Sequence, residues 1–228
     1  MVNRQSAIED RHPGAARIEH PVLIRGFAHI FSFLFHPLFI PFYVVSFFLC
    51  FHPSYFSGFG VYEKYKLLYT TLLNTVFFPL LSILLMKGLG FIKSVFLHTR
   101  QDRIAPYLAI MIFYFWAAWV FFKFEPGLAS VFPSFMTGIV LTTVVGLLSN
   151  IYFKISMHAM GAGGMIGIFL VVMKSNTMLM TWPLCIALLI TGIVCSSRLI
   201  VSDHSTKEIY GGILAGLLCQ FAAALVIV

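Results

Sequence analysis

Polar chemistry is concentrated in three short segments of an otherwise apolar chain: KSVFLHTRQDRIAPY (93–107), KISMH (154–158) and SRLIVSDHSTKE (197–208). Each segment leads directly into a predicted helix, and a helix N-terminus presents unpaired N–H groups and a positive dipole end. Arg100, Arg103, Lys154 and Arg198 supply full positive charges in these segments. Guanidinium groups and helix N-termini are donors that suit a phosphate ion. Together the three segments therefore predict a phosphate-binding site.

Local signals indicate how the helices that carry these segments begin and pack. Ser156 is predicted to cap the fifth helix and Ser205 or Thr206 the seventh, while Pro106 suits the first turn of the third. Small-xxx-small pairs, which let membrane helices approach closely, occur in the fifth and seventh helices as Gly163/Gly167 and Gly212/Gly216. Close packing of these two helices would bring their polar N-termini together.

The composition indicates that these segments belong to a membrane protein. The chain has 228 residues, of which 60% are hydrophobic and 10% are charged, and its mean hydropathy is +0.94. Soluble domains carry roughly 25% charged residues. Apolar runs near 20 residues are long enough to cross a bilayer, and they are continuous rather than alternating, so they predict helices. Seven are predicted, at 26–50, 66–86, 106–123, 128–150, 158–174, 178–196 and 208–227.

The predicted organisation is all-α: a single transmembrane bundle of about six to seven spans over residues 26–228, preceded by a polar tail at 1–25. His36-Pro37 and Pro41 predict a kink or break in the first helix. With seven spans, one side holds the tail and the connections 87–105, 151–157 and 197–207. Eleven of the 15 Lys and Arg residues lie on that side. The positive-inside rule therefore predicts that the three polar segments face the cytoplasm.

The third polar segment resembles a known motif. Ser197-Arg198, five residues, His204, three residues and Glu208 is similar to the Ser-Arg-x5-His-x3-Asp motif of the type 2 phosphatidic acid phosphatase superfamily. The similarity is to a divergent bacterial-type member, and it implies a bundle core like that of this superfamily and a multi-pass protein of the bacterial inner membrane.

The other two segments resemble the remaining motifs of that superfamily in the same order. Ser156–His158 resembles Ser-Gly-His, and Lys93-x6-Arg100 has the spacing of Lys-x6-Arg-Pro. Arg103, with Pro106 three residues later, offers a second register for the first motif. The resemblance spans residues 93 to 208.

The resemblance implies a metal-independent phosphatase, without a cofactor, that works through a phosphohistidine. His204 would attack phosphorus, Glu208 would orient its ring, and His158 would protonate the leaving oxygen and then activate water. The implied phosphate ligands are Arg198, Arg100, Arg103, Ser156 and Lys93. Phosphatidate, phosphatidylglycerophosphate and polyprenyl diphosphate are the substrate types that such an enzyme would take from the surrounding membrane lipids.

Three departures from the motifs define the alternative function. Glu208 stands where the superfamily has aspartate, Met157 where it has glycine, and Gln101 follows Arg100 in place of proline. The alternative is an inactive lipid-phosphate-binding or scaffold protein of the same fold. A transporter is disfavoured because its polar groups would lie near the midplane.

Other polar residues receive no functional role. Nucleic-acid binding is disfavoured because the 15 basic residues are scattered and form no long tract. The four cysteines lack the spacing of a metal site, so no metal is predicted. His29, His36, His52 and His98 are interpreted as structural.

Overall fold

The computed structural model of the chain describes residues 21–52, 55–92, 100–124, 129–174, 177–201 and 204–228. For residues 100–102, 124, 177 and 178 the backbone alone is described. These ranges contain helices and no strand: α1 (Val22–Leu34), α2 (Ile40–Cys50), α3 (Val61–Leu72), a π turn (Leu73–Phe77), α4 (Phe78–Gly88), α5 (Arg100–Phe124), α6 (Val131–Tyr152), α7 (Met157–Met173), α8 (Thr177–Val201) and α9 (Thr206–Ile227). The predicted all-helical bundle is confirmed.

Five apolar helical segments in the described part of the chain are long enough to cross a membrane: Val61–Gly88, Arg103–Lys123, Val131–Tyr152, Leu179–Val201 and Thr206–Ile227. The chain is therefore a multi-pass membrane protein. Three further apolar helices, α1, α2 and α7, are shorter.

The first predicted helix is divided, as the prolines indicated. α1 begins at Val22, four residues before the predicted start, and ends at Leu34, and α2 begins at Ile40 with Pro41 in its first turn. Proline lacks an N–H and cannot continue the helix in register, so the chain breaks at His36-Pro37. α1 packs against α8. α2 follows α7 in the same direction, because Pro37 lies beside Gly161 and the rings of Phe47 and Phe169 are 5.2 Å apart.

The second predicted helix continues from Val61 to Gly88 through the π turn. A π turn carries one extra residue relative to an α-helix and exposes a carbonyl group. The hydroxyl of Tyr114 on α5 donates to the carbonyl oxygen of Thr75 at 3.4 Å. This bond ties α5 to the π turn.

α7 is the central helix of the bundle and packs against α6, α8 and α9. The predicted glycine pairs lie in its contact with α9: a Cβ at Gly163 would collide with the carbonyl oxygen of Ile213, and a Cβ at Gly216 with that of Met160. At Gly212 an added Cβ would lie 2.8 Å from the carbonyl oxygen of Ser156. The predicted close packing of these two helices is therefore confirmed.

Besides the starts at Val22 and Val61, which precede the predicted 26 and 66, two further predicted helix boundaries were wrong. Pro106 lies inside α5, which already begins at Arg100, because a membrane helix tolerates one missing N–H where neighbouring groups satisfy the freed carbonyl. Ser197 and Arg198 belong to the last turn of α8, which continues to Val201. A cation in the last turn is favourable because it faces the negative end of the helix dipole.

Candidate functional site

The site is built around the first turn of α9. Ser205 caps this helix, because its hydroxyl oxygen accepts a hydrogen bond from the N–H of Glu208 at 3.4 Å. The cap places Glu208 in the first turn, where a carboxylate stabilises the positive end of the helix dipole. His204 directly precedes the cap, and so the predicted separation of one helical turn from Glu208 is realised.

His204 and Glu208 form a close pair. The distance from Nδ1 of His204 to Oε2 of Glu208 is 2.6 Å, and the two side chains are only 6% and 13% exposed. An ionised carboxylate can only accept, so Nδ1 carries the hydrogen and donates it. In the neutral ring this leaves Nε2 with its lone pair. The contact therefore selects the tautomer that a nucleophilic histidine requires.

The N-terminus of α7 is joined directly to that of α9. Ser156 caps α7 as predicted, because its hydroxyl oxygen accepts from the N–H of Ala159 at 3.4 Å. Its own N–H donates to the carbonyl oxygen of Glu208 at 3.3 Å. Ser156 is fully buried. The second and third predicted segments are therefore connected by a backbone hydrogen bond.

His158 lies in the first turn of α7 and is buried. Its Nε2 lies 3.1 Å from the carbonyl oxygen of Ser32 on α1. A carbonyl oxygen can only accept, so Nε2 carries a hydrogen. Nδ1 is therefore the nitrogen of His158 that remains for proton exchange with a substrate.

A third histidine, His36, joins this cluster from the break between α1 and α2. Its ring centroid is 5.1 Å from that of His158, with the planes nearly perpendicular. Its Nδ1 accepts from the N–H of Leu38 at 3.3 Å, which places the ring hydrogen on Nε2. The sequence interpretation gave His36 a structural role. The available sequence signal was that His36 directly precedes Pro37. A helix breaks at such a position, and the side chain there can then turn towards a neighbouring helix.

Positive charge surrounds the three histidines. The guanidinium of Arg198, at the end of α8, interacts electrostatically with all three rings. Lys154, just before α7, acts on His204, and Arg103, in the first turn of α5, acts on Arg198. Like charges held this close repel one another, and an anion between them would relieve that repulsion.

The environment of His204 keeps its ring neutral. Burial lowers the pKa of His204 below its ordinary value of 6.5, and the charges of Arg198 and Lys154 lower it further, against the opposing effect of Glu208. Burial disfavours the charged form of any imidazole. Nε2 therefore keeps its lone pair at neutral pH.

The remaining predicted site residues have mixed outcomes. Arg100 begins α5, with only its backbone described, and Lys93 lies outside the described residues. Met157 replaces the glycine of the second motif and is half-buried in the first turn of α7. Within the described ranges no three His, Cys, Asp or Glu side chains are grouped to hold a metal ion. Metal-independent chemistry stays a prediction.

Comparison with known proteins assigns no family: no protein-family model, no curated protein and no solved structure matches the chain.

Proposed function

We propose that the protein is an integral membrane phosphatase that hydrolyses a lipid-linked phosphate or diphosphate through a phosphohistidine. The observation that carries this proposal is the 2.6 Å contact between His204 and Glu208, formed beside the charge of Arg198. A structural ion pair or a helix cap would not require the cation Arg198 next to His204. A histidine that attacks an anionic substrate requires a carboxylate to orient it, here Glu208, and a cation to bind the substrate, here Arg198.

In the first step Nε2 of His204 attacks phosphorus, and the bond from phosphorus to the leaving oxygen breaks. Glu208 stabilises the positive charge that develops on the imidazole. Arg198 and Arg103 balance the charge on the phosphoryl oxygens. His158 enters this step as the imidazolium, and its Nδ1 proton passes to the leaving oxygen, which departs as a lipid alcohol or, from a diphosphate, as a lipid monophosphate.

In the second step His158 accepts a proton from water, and the water oxygen attacks phosphorus. The nitrogen–phosphorus bond breaks, inorganic phosphate leaves, and His204 returns to its neutral form. His158 thus acts first as acid and then as base. The contact of its Nε2 with Ser32 supports this role because it fixes the ring through both steps.

The place of the site in the bundle favours a lipid substrate. The histidines and cations lie where α7 and α9 begin and α8 ends, which for spanning helices is the level of the lipid headgroups. A phosphate headgroup could enter this cluster while its hydrocarbon stays in the membrane. The distribution of Lys and Arg favours the cytoplasmic side for the site, in the bacterial inner membrane that the resemblance implies.

The test measures phosphate release without added metal from purified protein in nanodiscs, for phosphatidate, phosphatidylglycerophosphate and a polyprenyl diphosphate. We expect release from at least one lipid, with His204→Ala and His158→Ala each slower by about 1000-fold or more. Acid-labile label from a radioactive substrate should remain on the wild type after quenching and be absent from His204→Ala. Release that is undiminished in His204→Ala contradicts the mechanism.

His36 is tested in the same assay with a matched control on α1. We expect His36→Gln to slow turnover by about tenfold because it removes the ring beside His158. His29, which is exposed on α1, provides the control, and His29→Gln should keep wild-type activity. Equal effects of the two substitutions would show that His36 has no special role.

The alternative is a protein of the same fold that binds lipid phosphate without hydrolysis. Met157 is the observation that favours it, because its side chain stands where the resembling motif has glycine, at the start of α7. Tight binding of phosphatidate to a wild-type protein that releases no phosphate from any lipid would establish this alternative.

A further inference from the structure

An apolar cavity begins at His36, the member of the histidine cluster that lines it, and extends into the bundle. Its volume is about 360 Å³. His36, Arg103 and Met157 line one end, and Tyr114, Phe135 and Gln220 line the other. Arg103 and Tyr114 are eleven residues apart on α5, which corresponds to roughly 17 Å along the helix axis. The cavity therefore has a cationic end and a deep apolar end.

The cavity also opens sideways. Two of its lining residues, Phe33 on α1 and Leu80 on α4, are 74% and 41% exposed. In a membrane these exposed side chains face lipid. An apolar space that opens to lipid fills with hydrocarbon, because an unfilled space would forfeit the dispersion contacts of its walls.

The deep end contains one buried group with an unmet hydrogen bond. Gln220 is 1% exposed, and its Nε2 donates to the carbonyl oxygen of Phe135 at 3.5 Å. Its Oε1 has no hydrogen-bond partner among the described residues. The amide occupies space left by Gly138, where a Cβ would lie 2.5 Å from Cδ of Gln220. Gln220 lines the deep end, and hydrocarbon packed there leaves its buried Oε1 unsatisfied, so we take Gln220 as the inner limit for a chain.

We propose that this cavity binds one hydrocarbon chain of the lipid phosphate, with the phosphate at His204, beyond the cavity end that His36 and Arg103 line, and the chain end near Gln220. The charge complementarity of the outer end selects an anionic lipid over a neutral one. A cavity of about 150 Å³ admits one benzene molecule, so about 360 Å³ admits roughly a dozen carbon atoms. The inference rests on the proposed function, which places a phosphate group at the site. It adds that the substrate is a lipid phosphate with about a dozen carbon atoms of one chain in the cavity.

The first experiment locates the chain without requiring catalysis. Dodecyl phosphate with a diazirine at the far end of the chain is photolysed with the full-length protein in phosphatidylcholine nanodiscs, and labelled residues are identified by mass spectrometry. We expect labels on Tyr114, Phe135 or Gln220. Labels confined to lipid-facing side chains of α5, such as Ile112 and Trp116, would overturn the proposal.

The second experiment blocks the cavity. Ile110 lines it, whereas Ile112 on the same helix is 63% exposed and outside it. We expect Ile110→Trp to abolish the deep labels and to slow hydrolysis of dodecyl phosphate by about tenfold, with para-nitrophenyl phosphate hydrolysed within about twofold of wild type. Ile112→Trp should leave both activities unchanged. Equal loss on both substrates in Ile110→Trp, or no loss on either, contradicts the chain site.

A chain-length series tests the inner limit. We expect kcat/KM to rise from octyl to dodecyl phosphate and to rise no further for hexadecyl phosphate. A continued rise to hexadecyl phosphate would overturn the limit at Gln220.

The two proposals fail in distinguishable ways. Deep labels without phosphate release from any substrate would refute the phosphatase and keep the chain site. Release with lipid-facing labels alone would refute the chain site and keep the phosphatase.

Discussion

At the residue scale, the chemistry depends on the balance of charges around one imidazole. Glu208 pulls the pKa of His204 upward, while burial, Arg198 and Lys154 push it downward. The downward influences prevail, which keeps His204 unprotonated, and Glu208 still fixes its tautomer through the 2.6 Å contact. Glu208 therefore sets the orientation of the ring, whereas burial, Arg198 and Lys154 outweigh its effect on the protonation state.

This balance predicts opposite pH responses from two substitutions. The wild-type kcat/KM should fall on the acid side only below pH 6.5, the ordinary pKa of histidine, because protonation of His204 removes its lone pair. Glu208→Gln removes the group that raises the pKa, so the acid limb moves to lower pH while kcat falls by about 100-fold. Lys154→Met removes a group that lowers the pKa, so the limb moves to higher pH.

The measurement is kcat/KM against pH for the three proteins with one substrate, so that the ionisation of the substrate is common to all. Shifts in the same direction, or a limb that does not move in either variant, would mean that another group controls the acid side.

At the element scale, the site depends on the contact between α7 and α9. Gly212 lies against the first turn of α7, where an added Cβ would be 2.8 Å from the carbonyl oxygen of Ser156 and 2.9 Å from Cβ of Ala159. The neighbouring Gly211 is exposed, and a Cβ there meets nothing within 4 Å. Gly212 is therefore required for the close contact with α7, whereas Gly211 is not.

We predict opposite effects of the same substitution at these two positions. Gly212→Ala should destabilise the protein by about 2 kcal/mol through overpacking and separate the two helix N-termini, with loss of phosphate release. Gly211→Ala should be neutral or stabilising by up to about 1 kcal/mol, because alanine favours the helix. Thermal unfolding in nanodiscs, read beside activity, provides the measurement. Equal melting temperatures for the two variants would contradict the proposed packing role.

The features that could be predicted are those that depend on residues close together in the sequence. The caps at Ser156 and Ser205, the glycine contacts and the break at His36-Pro37 depend on local patterns, and all are confirmed. The predicted end of α8 was too early, because the polar residues Ser197 and Arg198 indicated a loop, although a cation is also favourable in the last turn of a helix.

The contact of His158 with Ser32 joins residues separated by 126 positions. A single sequence carries no periodic signal for such a contact, so neither it nor the packing of His36 against His158 could be predicted.

At the scale of the whole molecule, the orientation depends on how the first apolar run crosses the membrane. α1 has 13 residues and α2 has 11, so they are roughly 20 and 17 Å long, and each is shorter than the hydrocarbon core of about 30 Å. Arg103, Lys154 and Arg198 also belong to the candidate site, so their side of the membrane is set by chemistry as well as by insertion. The orientation therefore needs its own measurement.

Cysteine labelling is predicted to place the site in the cytoplasm. In a background without native cysteines, Lys207→Cys, exposed in the first turn of α9, should be protected from a membrane-impermeant maleimide in intact cells and react after permeabilisation. Lys174→Cys, exposed at the opposite end of α7, should react in intact cells. The reverse pattern would place the site on the outer face.

The π turn between α3 and α4 determines which side of α4 meets the cavity. Each residue of a helix advances the next by about 100° around the axis, and a π turn adds one residue to the count. Leu80 and Ile83 line the cavity, and the added residue contributes to the rotational phase at which α4 presents them. The shape of the proposed chain site is therefore encoded in the number of residues between two helices as much as in the side chains that line it.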